Sequence, residues 1–170
     1  MTITGPRLFF LGTASPNEPR MAKVLIAEDD HLMRWSLETT LGRHGHTVHT
    51  VGSGEAAIAA VMNDEYHVVI TDYGLPEADG LQVLLQVKMR SPHIHVIVIT
   101  GDATPDLEKL ARDMGAFEFL EKPFPLPVVA TAVERALASP ERRKGPRGCC
   151  GQCAWQQPCA RWVTQQPARV

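Results

Sequence analysis

No cysteine precedes Cys149, and all four lie between Cys149 and Cys159. No disulfide can therefore staple the body of the chain, and a reducing compartment fits. Long apolar runs are missing too: the longest are a few residues, far short of the ~20 that a spanning helix needs. "RLFFLG" near the start lacks a proper signal-peptide core. No membrane association is expected, and the chain reads as cytoplasmic. A large charge of one sign is also lacking, the formal net being -2 over 170 residues. That small value conceals a partition, because residues 21–138 hold 9 Lys/Arg against 17 Asp/Glu while residues 139–170 hold 6 against 1. The middle is acidic and the tail basic.

What is there, 44% hydrophobic and 21% charged residues with 13 Gly and 13 Pro, describes one ordinary globular domain with modest appendages. Residues 1–20 are rich in Pro, Gly and Thr without sustained periodicity and read as a disordered leader. "MAKVLIAEDD" from Met21 looks like a natural domain beginning. Residues 139–170 read as a flexible, basic, Cys-containing tail.

Between 21 and 138, short continuous apolar runs alternate with amphipathic stretches, the signature of strands buried on both faces and helices crossing over them. The strands are expected at Lys23–Ala27, Thr47–Val51, His67–Thr71, Val96–Thr100 and Phe117–Leu120. The helices are expected at His31–His44, Glu55–Asn63, Leu81–Arg90, Pro105–Met114 and Leu126–Ala138, with Gly45 and Gly115 where left-handed caps are wanted. Five β-α units in a row predict an α/β fold, a doubly wound five-stranded parallel sheet with its ligand site at the carboxyl ends of the strands.

Those ends carry chemistry. In "VLIAEDDH" three consecutive carboxylates follow a buried strand, with Glu28 and Asp29 where it stops and Asp30 placed to cap the next helix. Asp72 ends "HVVITD", and the three acids Glu28, Asp29 and Asp72 should converge. A hard divalent cation such as Mg2+ takes one or two carboxylates and fills its shell with water and phosphate oxygens, which makes their mutual repulsion tolerable. Without it, some carboxyl pKa should be held high. Thr100 ends the fourth strand, and Lys122, followed by Pro123, leaves the fifth. Alone, Thr100 would be a strand-end hydroxyl, Lys122 a solvated charge and Phe119 a core residue; the joint spacing reverses that reading.

The joint pattern resembles the receiver domain of two-component response regulators across 21–138. "AEDD" is similar to the family's acidic pair, "TDYGLPEADG" to its phosphoacceptor loop, "VIVITG" to its hydroxyl strand and "FEFLEKPF" to its Lys-Pro signature. The resemblance implies a flavodoxin-like (β/α)5 sheet in strand order 2-1-3-4-5. It implies Asp72 as phosphoacceptor, Mg2+ held by Glu28, Asp29, Asp72 and the Gly74 backbone carbonyl, Lys122 paired with the phosphoryl group, and a cis bond before Pro123. It also implies that Thr100 bonds the phosphoryl group once attached and that Phe119 is an aromatic switch, expected to turn inward on phosphorylation. The face of the fourth helix, fifth strand and fifth helix would then be remodelled. Gly74, which offers no amide to orient a water, argues against unusually fast self-hydrolysis.

Residues 139–170 are too few for a winged-helix or ATPase effector domain. A stand-alone receiver is therefore expected, accepting phosphate from a sensor histidine kinase or a histidine phosphotransferase and switching contact with an unknown protein partner. This is signalling, not enzyme catalysis. The alternatives are a relay intermediate that passes phosphate to a histidine phosphotransferase, and a metal- or redox-sensing regulator. The latter rests on the tail, where Cys149, Cys150, Cys153 and Cys159 have thiolate spacing suited to zinc or an iron-sulfur cluster, and partly similar to the motif of WhiB-type regulators. A thiol-rich peptide without metal has equal standing. "SPERRKGPR" holds too few basic residues for direct nucleic-acid binding to be expected. His44, His46 and His49 straddle a helix end, a turn and a strand, so their side chains should diverge rather than bind metal.

Overall fold

A computed structural model describes residues 21–139. Residues 1–20 and 140–170, and with them all four cysteines, lie outside the described residues. The elements alternate strictly: β1 (Lys23–Ala27), α1 (His31–Arg43), β2 (Thr47–Val51), α2 (Gly54–Asn63), β3 (Val68–Asp72), α3 (Gly80–Arg90), β4 (His95–Thr100), α4 (Pro105–Asp113), β5 (Glu118–Glu121) and α5 (Leu126–Ala138). Every pairing is parallel, and the order is β2-β1-β3-β4-β5.

Alternate side chains of each strand serve two separate cores. Leu25, Ala27, Val69, Val96 and Val98 meet Ala57, Val61, Val83, Leu84 and Val87 of α2 and α3 on one face. Val24, Ile26, Val68, Ile70, Ile97 and Ile99 meet Leu37 and Leu41 of α1 and Val129 and Val133 of α5 on the other. This two-sided burial is why the central strands read as unbroken apolar runs rather than alternating ones. Among the described residues no helix is long and apolar enough to cross a membrane.

Four of the five helices, all but α5, start on side chains that satisfy their orphan N–H groups. Asp30 accepts from Met33 N at 2.8 Å, Asp79 from Gln82 N at 2.9 Å, Thr104 from Leu107 N at 3.2 Å and Ser53 from Ala56 N at 3.3 Å. Gly45 and Gly115 follow α1 and α4 with φ of 85° and 97°, the left-handed conformation expected of them. Expected boundaries shift by about a residue. β3 begins at Val68 and takes in Asp72, which pairs in register with Ile99, and β5 begins at Glu118, opposite Ile97.

Lys88 is a cation on the core side of α3, 7% exposed, its Nζ donating to the Ile94 carbonyl at 2.6 Å. Burial pulls its pKa down to about 8 from 10.5. The folded state thus releases this proton before the unfolded state does, and between those two values the unfolded chain binds more protons. Stability should rise with pH across that window by roughly 1 kcal/mol per unit relative to Lys88→Met, in which other titrations cancel. Urea unfolding of both proteins at pH 7.5 and 9.5 measures this, and an unchanged gap would contradict it.

Candidate functional site

Every side chain singled out at a strand end comes from the carboxyl edge of the sheet, where the β2-β1-β3-β4-β5 order brings β1, β3, β4 and β5 side by side. Glu28, Asp29 and Asp72 each offer one carboxylate oxygen within 4.8 Å of the others, the one such group of potential metal ligands among the described residues. Glu28 is fully buried and Asp72 7% exposed, whereas Asp29 faces solvent. The donor set is all oxygen, which fits a hard divalent cation and not a soft one.

Lys122 closes the cluster. Its Nζ donates to Glu28 Oε2 and to Asp72 Oδ2, each at 2.8 Å, across 94 and 50 residues of chain. Burial raises the Glu28 pKa above the ordinary carboxyl range; Lys122 opposes this and the neighbouring Asp72 charge adds to it. A raised carboxyl pKa is expected in this cluster from mutual repulsion, but its larger cause is burial. Burial alone would lower the Lys122 pKa, but the bonds to Asp72 and Glu28 outweigh it and hold the ammonium above its usual value. The Lys122–Pro123 bond is cis.

Gly74 N–H donates to Asp72 Oδ1 at 3.2 Å. Thr100 is 2% exposed, and its hydroxyl oxygen accepts from Asp102 N at 3.1 Å. Phe119, opposite Val98 on the edge strand, is 9% exposed and packs in the core beneath α4. The ring already occupies an inward seat, so the inward turn expected of it has no outward starting point in this conformation. Around it, Glu118 pairs with Arg112 of α4 at 3.5 Å and with Arg135 of α5, tying the two helices across β5.

The histidines diverge as expected. His44 Nδ1 donates to the Thr40 carbonyl at 3.1 Å, His46 Nε2 lies 3.8 Å from Glu134, and His49 shares a hydrogen bond with the Tyr66 hydroxyl at 2.5 Å.

Three features of the site escaped the sequence. Lys122 bridges Glu28 as well as Asp72. Arg34 reaches from α1 to the backbone of Glu28 and Asp29. Gly54 and Gly80 lie against the phosphoacceptor-like loop, where a Cβ on Gly54 would overlap Ala78 O and one on Gly80 would overlap Asp72 O. Only the glycines left a signal, their placement at the starts of α2 and α3, and that alone does not say what approaches them.

The family profile for the response regulator receiver domain matches residues 24–134. The chain is 35% identical over 124 residues to the DNA-binding transcriptional regulator NtrC of Salmonella typhimurium, covering 73% of this chain and 26% of that protein. It is 38% identical over 103 residues to the response regulator protein FleR of Pseudomonas aeruginosa, covering 61% of this chain and 22% of that one. The chain thus spans about a quarter of the length of these relatives. Among solved structures it resembles a response regulator receiver domain protein from Clostridium thermocellum, with TM-score 0.64, 31% identity, and 69% and 95% of the two chains covered. It also resembles the BeF3-activated DrrB receiver domain, with TM-score 0.65, 25% identity, and coverage of 70% and 99%. A five-unit parallel sheet, an acidic triad under one lysine and a match over the whole described core make this chain a member of the response regulator receiver domain family.

Proposed function

We propose that the domain accepts a phosphoryl group on Asp72 from a phosphohistidine protein, with Mg2+ held by Glu28, Asp29, Asp72 and the Gly74 carbonyl, and that modification changes its contacts with a protein partner. The observation that carries the reading is Lys122 within 2.8 Å of Asp72 Oδ2 at the rim of a three-carboxylate cluster. Phosphoryl transfer needs an in-line nucleophile and neutralised charge, and little else. A carboxylate oxygen of Asp72 forms the new O–P bond while the donor's P–N bond breaks and the electron pair leaves with the imidazole. Lys122, already poised between two carboxylates, turns toward the transferring oxygens. Bound Mg2+ supplies further charge neutralisation on the phosphoryl group.

Thr100 is the reporter of the event. Its hydroxyl lies at the end of β4 and accepts from Asp102 N, and the ion pairs of Glu118 give α4 and α5 a shared anchor for a two-state change. The DNA binding named in the NtrC relatives belongs to those proteins, and the output of this chain is a protein contact.

The test is incubation with Mg2+ and acetyl phosphate, a small phosphoryl donor from which acetate leaves. One phosphoryl group per chain is expected by mass spectrometry, and none in Asp72→Asn or without divalent metal. Undiminished labelling of Asp72→Asn would sink the assignment. Thr100→Ala should still label but fail to alter partner binding.

A further inference from the structure

Arg34 lies one turn into α1, half-buried, and bends back toward the loop from which that helix springs. Its Nη1 donates to the Glu28 carbonyl at 2.5 Å and lies 3.2 Å from the Asp29 carbonyl. Those two residues carry two of the three clustered carboxylates. From the other side, the Glu28 N–H donates to the Val51 carbonyl at 3.1 Å. Gly52, next in the chain, leaves room for the guanidinium: a Cβ there would stand 3.3 Å from Nη1. The guanidinium therefore bonds the loop after β1 and fits beside Gly52, in the loop after β2.

We propose that Arg34 is a positioning residue for divalent-cation binding, clamping the backbone that aims Asp29. This rests on reading the acidic cluster as a cation site. The peptide unit joining Glu28 to Asp29 is planar, so fixing its carbonyl fixes the direction in which the chain enters Asp29. Glu28 needs little such help, because it is fully buried and bonded to Lys122. Asp29 is exposed and lacks that packing. Its carboxylate stays in the cluster through its backbone, and the backbone stays through Arg34.

Two consequences of removing Arg34 oppose each other. Loss of a positive charge near three carboxylates favours a cation, but through water and salt a single charge at this range is worth only roughly a few-fold. Loss of an orienting partner costs about 10- to 100-fold in metal affinity. The second effect is the larger, so the sign is fixed.

Mg2+ titrated into the full chain and followed by calorimetry tests this. Arg34→Met should weaken Mg2+ binding about tenfold and raise the Mg2+ concentration that half-saturates acetyl phosphate labelling by the same factor. Arg34→Lys, which keeps the charge but loses the planar fork, should fall between. A purely electrostatic role predicts the reverse, with tighter binding in Arg34→Met and no change in Arg34→Lys, and that result would overturn the proposal. If Arg34→Met does not fold, Arg34→Lys and Gly52→Ala decide: Gly52→Ala crowds the guanidinium and should weaken Mg2+ in the same direction, and wild-type affinity in both overturns the clamp. Wild-type protein that binds no Mg2+ would instead remove the cation site itself, a distinct failure.

Discussion

Replacing Lys122 with Met should slow acetyl phosphate labelling of Asp72 by about 100-fold or more and make the fold depend more on divalent cation. The first effect follows because Lys122 Nζ, 2.8 Å from Asp72 Oδ2, is the nearest protein cation to the transferring oxygens, and removing one preorganised stabiliser of developing charge typically costs that much. The second follows from Glu28, which is fully buried with Lys122 bonded to its Oε2. Removing one partner of a buried ion pair costs about 3–5 kcal/mol, but 21% of the lysine side chain meets solvent, so about 2 kcal/mol is expected here. The carboxylates then have two remedies, a proton or a metal ion. Mg2+ at millimolar concentration should therefore raise Tm further in Lys122→Met than in wild type, since binding to the native state alone stabilises it by mass action. Equal Mg2+-induced shifts in the two proteins would show that Lys122 and the cation do not serve the same carboxylates.

The same substitution, Gly to Ala, should have opposite effects at two helical positions. Gly42 of α1 has nothing within 4 Å of where a Cβ would stand, so Gly42→Ala should stabilise the fold by roughly 0.5–1 kcal/mol through helix propensity. Gly80 opens α3 hard against the end of β3, where a Cβ would overlap the Asp72 carbonyl oxygen and lie 2.9 Å from both Asp72 C and Tyr73 Cα. Every obstacle there is backbone, which cannot rotate aside. Overpacking of this kind costs about 1–3 kcal/mol and occasionally more, so the propensity gain is overwhelmed and Gly80→Ala should lose about 2 kcal/mol net. Asp72 is the residue that must move, so labelling should slow as well. Denaturant midpoints for the two variants check the stability signs, and a stabilised Gly80→Ala would mean that α3 can slide away from β3 at no cost.

The fold was legible because its physics is repetitive. Val24–Ala27 and Val96–Ile99 are apolar throughout, which only a strand covered on both faces permits, and Asp30, Ser53, Asp79 and Thr104 announce helix starts by chemistry that acts over three residues. Strand order came from the family resemblance, since periodicity says nothing about which strands are neighbours. The acids at the ends of β1 and β3 were readable for the same local reason. Lys122 touching Glu28, Arg34 lying against Gly52, and Gly80 against Asp72 were not, because each is a meeting of separate loops set by tertiary packing. Phe119 shows the remaining gap: the family resemblance implies a switch residue there, while its inward seat in the core is visible only in three dimensions.

The bond from Lys122 to Glu28 closes a separation of 94 residues and the one to Asp72 a separation of 50. During synthesis the ribosome therefore releases all the acidic ligands before the ammonium that offsets them. At about 5–20 residues per second, roughly 3–10 s pass between the appearance of Asp72 and that of Lys122. Through that interval β5 is missing from the edge of the sheet, and Asp72 stands in the nascent chain without the ammonium that bonds it. The carboxyl-edge cluster is thus assembled last, by the unit that brings β5 and Lys122, although its acids are all made earlier.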